Sequence, residues 1–171
     1  NTAGHPARQS ITSRNWNHFS VAFSPDGKLL ACSGHAVEIH DAATGTLLRT
    51  LPGYTNTNVR VAFSPDGSTL AATDVDHTVQ FWDEATWKHW SPQKSDLPVL
   101  RGSGPDSQLA FSPDSTTLAR AGEDGSTRLY KARTGALIGK LDESTYSLGF
   151  TPDGTRLVSA HKGELRVWNM L

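Results

Sequence analysis

The sequence predicts an all-β fold of four-stranded antiparallel blades, four to the chain, and three observations predict it. A short signature recurs four times, as Phe23-Ser24-Pro25-Asp26-Gly27, Phe63 to Gly67, Phe111 to Ser115 and Phe150 to Gly154. The signature phenylalanines stand 40, 48 and 39 residues apart, close to the roughly 40–45 residues of one β-propeller blade. Around each signature, apolar and polar residues alternate with the period of two that marks a half-buried strand.

Each element of a blade comes in order. An alternating run ends at each signature Phe, as in Phe19-Ser20-Val21-Ala22-Phe23 and Val59 to Phe63, and forms strand one. The Ser-Pro-Asp-Gly after it is turn chemistry: Pro presets φ at the second position, Asp suits the third, and Gly accommodates the position after that. Strand two then contains Lys28 to Ala31, Ser68 to Ala71, Thr116 to Ala119 and Thr155 to Val158. Strand three ends in Ile39-His40-Asp41, Phe81-Trp82-Asp83, Leu129-Tyr130-Lys131 and Val167-Trp168-Asn169. Fourth strands are expected at Leu47 to Leu51, at roughly Leu97 to Arg101, and at Ala136 to Leu141, with none left for the fourth unit. The units are 18–57 (blade 1), 58–105 (blade 2, with an insertion), 106–144 (blade 3) and 145–171 (blade 4, lacking its outer strand). Residues 1–17 form an N-terminal arm or clasp strand.

Composition narrows the function. Of 171 residues, 36% are hydrophobic and 19% charged, an ordinary globular balance. A formal charge of -1, from 16 basic and 17 acidic side chains, supplies no global field toward nucleic acid or an anionic membrane. No 18-residue apolar stretch and no apolar N-terminal segment occur, so neither a membrane span nor a signal peptide is expected. The single cysteine, Cys32, forms no internal disulfide and favours the cytoplasm over secretion.

The four Phe-Ser/Thr-Pro-Asp motifs and the intact Trp82-Asp83 pair resemble the WD-repeat β-propeller family over about residues 18 to 171. The resemblance implies a scaffold or sensor module that binds proteins or peptides. It also implies a hydrogen-bonded His, Ser/Thr, Asp and Trp set in each blade. Unit two keeps Asp76 and Trp82, while Tyr54 and Ala72 stand at the His and Ser positions; His40 and Tyr130 replace Trp in units one and three. Phe23, Phe63, Phe111, Phe150, Trp82, Asp76 and Trp168 are accordingly structural residues.

Four blades are few for the family, and an open half-ring would expose about 300 Å² of flat sheet at each end, more than a monomer usually leaves bare. A homodimer closing to eight blades, completion by other chain segments, or a tight four-blade ring would each cover it. The missing outer strand of unit four could come from Ala7 to Thr12, whereas Gly4-His5 resembles the pair that precedes a first strand in the family.

No catalytic constellation stands out. His35 and His40 lie five apart along the chain and point to opposite faces of a strand, poor geometry for a shared metal. Zinc, nucleotide and hydrolase signatures are absent from the sequence, and Asp26, Asp66, Asp114 and Asp153 read as turn formers. No cofactor and no metal are expected, and the chain reads as a non-enzyme. The candidate partner surface is a rim: His18, Arg60, Gln108 and Tyr146 before first strands, and His35, Asp74, His77, Glu123 and His161 between second and third strands. Trp87 and Trp90, placed in the unit-two insertion, form a possible second surface. Protein-protein interaction is the leading reading. A structural ring-assembly fragment of a larger propeller and an enzyme with a channel site are the alternatives.

Overall fold

The computed structural model describes residues 20–51, 60–73, 79–90, 108–122, 126–142, 145 and 147–170. They form four antiparallel sheets. The first is β1 (Ser20–Phe23), β2 (Leu29–Ser33), β3 (Val37–Asp41) and β4 (Leu47–Leu51); the second is β5 (Arg60–Phe63), β6 (Thr69–Thr73), β7 (Val79–Asp83) and β8 (His89–Trp90). The third is β9 (Leu109–Phe111), β10 (Thr117–Gly122), β11 (Ser126–Lys131) and β12 (Leu137–Leu141); the fourth is β13 (Ser147–Phe150), β14 (Arg156–His161) and β15 (Glu164–Asn169). Each sheet runs in chain order, so the four are the blades that the repeat spacing predicts.

The signature turn is built the same way four times. In the first sheet the Gly27 N–H donates to the Ser24 carbonyl at 2.9 Å. Ser24 Oγ donates to Asp26 Oδ1 at 2.7 Å and accepts from the Leu29 N–H at 2.9 Å. Asp26 Oδ1 also accepts from the Lys28 N–H at 3.0 Å. One hydroxyl and one carboxylate thus satisfy the backbone groups that the reversal leaves over. Ser64 and Asp66, Ser112 and Asp114, and Thr151 and Asp153 repeat the arrangement. Gly27, Gly67 and Gly154 adopt φ of 72°, 75° and 70°, and Ser115 takes the same left-handed position with φ 61°.

The sheets stack face to face in a fixed sense. Ala31, Val37 and Ile39 of the first sheet pack against Val61, Leu70 and Trp82 of the second. The opposite face of the second, Ala71, Val79 and Phe81, packs against Leu118 and Tyr130 of the third. Ala119 and Leu129 on the third sheet's far side meet Leu148, Phe150, Leu157 and Trp168 of the fourth. The innermost strands β1, β5, β9 and β13 succeed one another side by side, and β13 does not pack against β1 as those neighbours do.

One strand differs from the sequence expectation. The fourth strand of the second sheet is formed by His89–Trp90, which pairs Phe81 with Trp90 and Trp82 with His89. The expected position, near residues 97–101, lies outside the described residues. The physical reason is the turn before the strand. Asp83-Glu84-Ala85-Thr86-Trp87 closes as Asp41 to Gly45 does, with the residue-five N–H donating to the aspartate carbonyl at 2.6 Å and 2.8 Å respectively. Trp87 accepts the glycine's conformation, with φ 55°. Trp87 to Trp90 therefore belong to a blade turn and strand, and the extra length of this unit comes after them. The proposed clasp segment, Ala7 to Thr12, lies outside the described residues.

Candidate functional site

Antiparallel pairing puts the start of each first strand beside the turn between second and third strands. Ser20 faces Ser33, Arg60 faces Thr73, and Ser147 faces Ala160. In the third sheet the Ala121 N–H reaches the Gln108 carbonyl at 3.0 Å. All four sheets thus share one edge, on which four of the candidate rim residues lie. Arg60, the first residue of β5, is half-buried, and so is Gln108 just before β9. His35 is exposed in the turn between β2 and β3, and His161 is half-buried at the end of β14, opposite Glu164. His18, Asp74, Asp76, His77, Glu123 and Tyr146 lie outside the described residues.

The opposite edge repeats itself. It carries the signature turns and the turns before the fourth strands, and there Asp41 Oδ1 accepts from the Thr44 N–H at 2.7 Å as Asp83 Oδ1 accepts from the Thr86 N–H at 2.8 Å. These bonds hold the turn carboxylates ionised. Ser24 and Thr151 donate to Asp26 and Asp153 and, with backbone N–H groups, lower their pKa to about 2. Asp41, Asp83 and Asp114 are lowered chiefly by neighbouring hydroxyl groups, and Asp66 is lowered by several hydrogen bonds that outweigh its partial burial. A carboxylate fixed in this way is an acceptor for its own turn and a poor general base.

On this repetitive edge, between the second and third sheets, lies a cleft of about 410 Å³ lined by Ser68, Thr69, Asp83, Thr86, Lys88, His89 and Arg133. Trp87 beside it is half-buried against the first core cluster, and the His89 ring stands 5.6 Å from that of Trp82. Trp87 thus contributes to packing. Trp90 is placed here only as a strand residue.

Three internal features were not read from the sequence. Trp168 Nε1 donates to Ser159 Oγ at 2.9 Å, and Ser159 occupies the register position of Cys32, Ala72 and Arg120 in the other sheets. The four residues stand nine after their signature phenylalanines, a spacing that could have found the pair. In the first sheet, His40 Nδ1 lies 3.2 Å from the Gly45 carbonyl and Nε2 lies 3.2 Å from Glu38 Oε2, with both side chains buried. Because a carbonyl only accepts, Nδ1 is the donor in the first of these contacts. Glu38 also faces Cys32 across the sheet, and burial, followed by that carboxylate, pushes the buried thiol's pKa up. In the third sheet, buried Arg120 and Arg128 stand directly opposite each other.

Among the described residues no group of three His, Cys, Asp or Glu side chains could hold a metal ion, and no helix is long and apolar enough to cross a membrane.

The chain matches the sequence profile of the WD domain, G-beta repeat, four times, over residues 4–41, 45–83, 99–131 and 135–169. The second match begins at the turn before β4 and ends with β7, so that repeat runs from the outer strand of one sheet into the first three strands of the next. No curated protein matches the chain. Among solved structures it is similar to the crystal structure of the computationally designed Ika4 protein, at 21% identity and a TM-score of 0.74, over 94% of this chain and 95% of that one. That likeness concerns the fold.

Proposed function

The chain belongs to the WD domain, G-beta repeat family, and from this we propose that it is a non-catalytic, cytoplasmic scaffold or sensor module that recognises proteins or peptides through its variable rim. Families of this kind mediate protein interactions in general; the assignment of the rim rests on the contrast between the two edges. One edge repeats the same hydroxyl-carboxylate turn in every sheet. The other presents a cation at Arg60 and an amide at Gln108 on matching first-strand positions of two sheets, and imidazoles at His35 and His161 in or beside the second-to-third-strand turns of the other two. An uneven rim on a uniform scaffold gives each blade its own contact chemistry, which is how a repeat surface acquires specificity.

The reading extends to His18, Asp74, His77, Glu123 and Tyr146 as further rim residues and to proteins or peptides, not nucleic acid or membrane, as partners. A second contact surface around Trp87 and Trp90 is supported by the adjoining cleft, where Lys88, His89 and Arg133 gather beside Asp83. It suits an acidic segment of a partner.

The test is quantitative affinity capture from extracts of the source cells, comparing the wild-type chain with a variant carrying His35→Ala, Arg60→Ala, Gln108→Ala and His161→Ala. Loss of specific partners, with an unchanged circular dichroism spectrum and melting temperature, is expected. Retention of every partner would overturn the rim assignment, and retention here with loss on Lys88→Glu and Arg133→Glu would move recognition to the cleft edge.

A further inference from the structure

The two outermost sheet faces of the chain are the two halves of the joint that it already makes three times. Within the stack, one side of a joint presents the Ala31, Val37 and Ile39 positions, and the other presents those of Val61, Phe63 and Leu70. The register carries these positions through every sheet. Val158 pairs with Val167 and Ala160 with Leu165 in the fourth sheet, as Ala31 pairs with Ile39 and Ser33 with Val37 in the first. Phe23 pairs with Leu30 in the first, as Phe63 pairs with Leu70 in the second.

Exposure separates covered positions from uncovered ones. Val37 and Val79 are 0% exposed and Ile39 is 1% exposed, whereas Leu165 is 75% and Val167 57% exposed. Val61 is 7% exposed, and its counterpart Val21 is 62% exposed, as is Phe23. The chain therefore ends on an open β-branched and leucine face at one side, and at the other on a face whose inner strand leaves Val21 and Phe23 open while Cys32, Glu38 and His40 of the same face are buried within the chain. At these open positions each has the chemistry of the surface that covers the other's counterparts.

We propose that these faces meet between two copies of the chain, the fourth sheet of each copy seating on the first sheet of the other, so that two head-to-tail joints close a ring of eight sheets. A head-to-tail contact gives a closed ring when its rotation closes and a filament when it does not, and eight blades lie within the known propeller range. Arg60, Gln108, His35 and His161, the residues changed in the recognition test, lie on the common edge and on neither face, so the two proposals fail independently.

The experiment is mass by light scattering on a sizing column across a wide concentration range. The wild-type chain is expected at twice its 18.5 kDa. Phe23→Lys alone and Val167→Glu alone are each expected at the single-chain mass with unchanged circular dichroism, because both side chains are exposed in the single chain. A one-to-one mixture of the two variants is expected to recover the double mass, since one joint then pairs Lys with Glu and the other pairs the native residues. Should Val167→Glu fold poorly, Leu165→Glu takes its place. A wild-type mass of 18.5 kDa at every concentration overturns the proposal, and so does a mass that keeps growing. A dimer that survives both substitutions, or variants that do not recover on mixing, places the contact elsewhere and overturns it equally.

Discussion

The Trp168 indole donates to Ser159 Oγ at 2.9 Å, joining β15 to β14 inside the face by which the fourth sheet packs on the third. Ser159 is buried, so the hydroxyl accepts where water does not compete freely. Ser159→Ala is expected to destabilise the chain by about 1 kcal/mol, the net worth of one such bond. Urea midpoints for Ser159→Ala, Trp168→Phe and the double variant check it: a cycle with no coupling energy would show that the bond contributes nothing.

Acid should weaken the fold through the turn aspartates. Hydrogen bonds hold Asp26 and Asp153 at about 2, against an ordinary value of 3.8, with Asp66 and Asp114 shifted the same way. Between these values the unfolded chain binds more protons than the folded one, so stability rises with pH there. The contribution is complete above about pH 4 and disappears as pH falls toward 2. Urea midpoints measured from pH 5 to pH 2 should drop across that window, and Asp26→Asn with Asp153→Asn should flatten the drop. An equal slope in that variant would assign the acid sensitivity to other groups.

The sequence made legible the features that local chemistry decides. Ser24, Pro25, Asp26 and Gly27 satisfy one another within a single turn, and the same letters announce the same turn in the other sheets. Phe23 and Phe63 share that local signature and read alike, yet one lies exposed on an end face and the other is half-buried against the first sheet. Only the neighbouring sheet distinguishes them. Trp87 reads as part of an insertion because a bulky residue at a left-handed turn position is rare, although the Asp83 and Thr86 before it match Asp41 and Thr44. The Glu38 partner of His40 follows from the period-two rule, since residues two apart share a strand face; the burial that gives the pair its weight comes from packing.

Ser115 is the one departure from glycine at the left-handed turn position, and it compensates through a neighbour: the Asp66 N–H donates to its Oγ at 3.0 Å. A non-glycine residue in that conformation costs about 1 kcal/mol, which the hydrogen bond offsets to about the same extent. Ser115→Ala keeps the strain and loses the bond, and is expected to destabilise by about 1 kcal/mol. Ser115→Gly loses both together and should remain within about 0.5 kcal/mol of wild type. Thermal melts that rank Ala at or above Gly would contradict this balance.

The Glu38–His40 pair should behave as a unit. Both side chains are buried and 3.2 Å apart, and the His40 ring is oriented by the Gly45 carbonyl on its other nitrogen. Removing one partner breaks a buried polar contact, at a cost of about 3 kcal/mol, and once one is gone the other has less left to lose. Glu38→Leu and His40→Leu are therefore each expected to lower the unfolding free energy by about 3 kcal/mol, and the double variant by clearly less than their sum. Additive losses in urea unfolding would mean that each side chain acts by filling space alone.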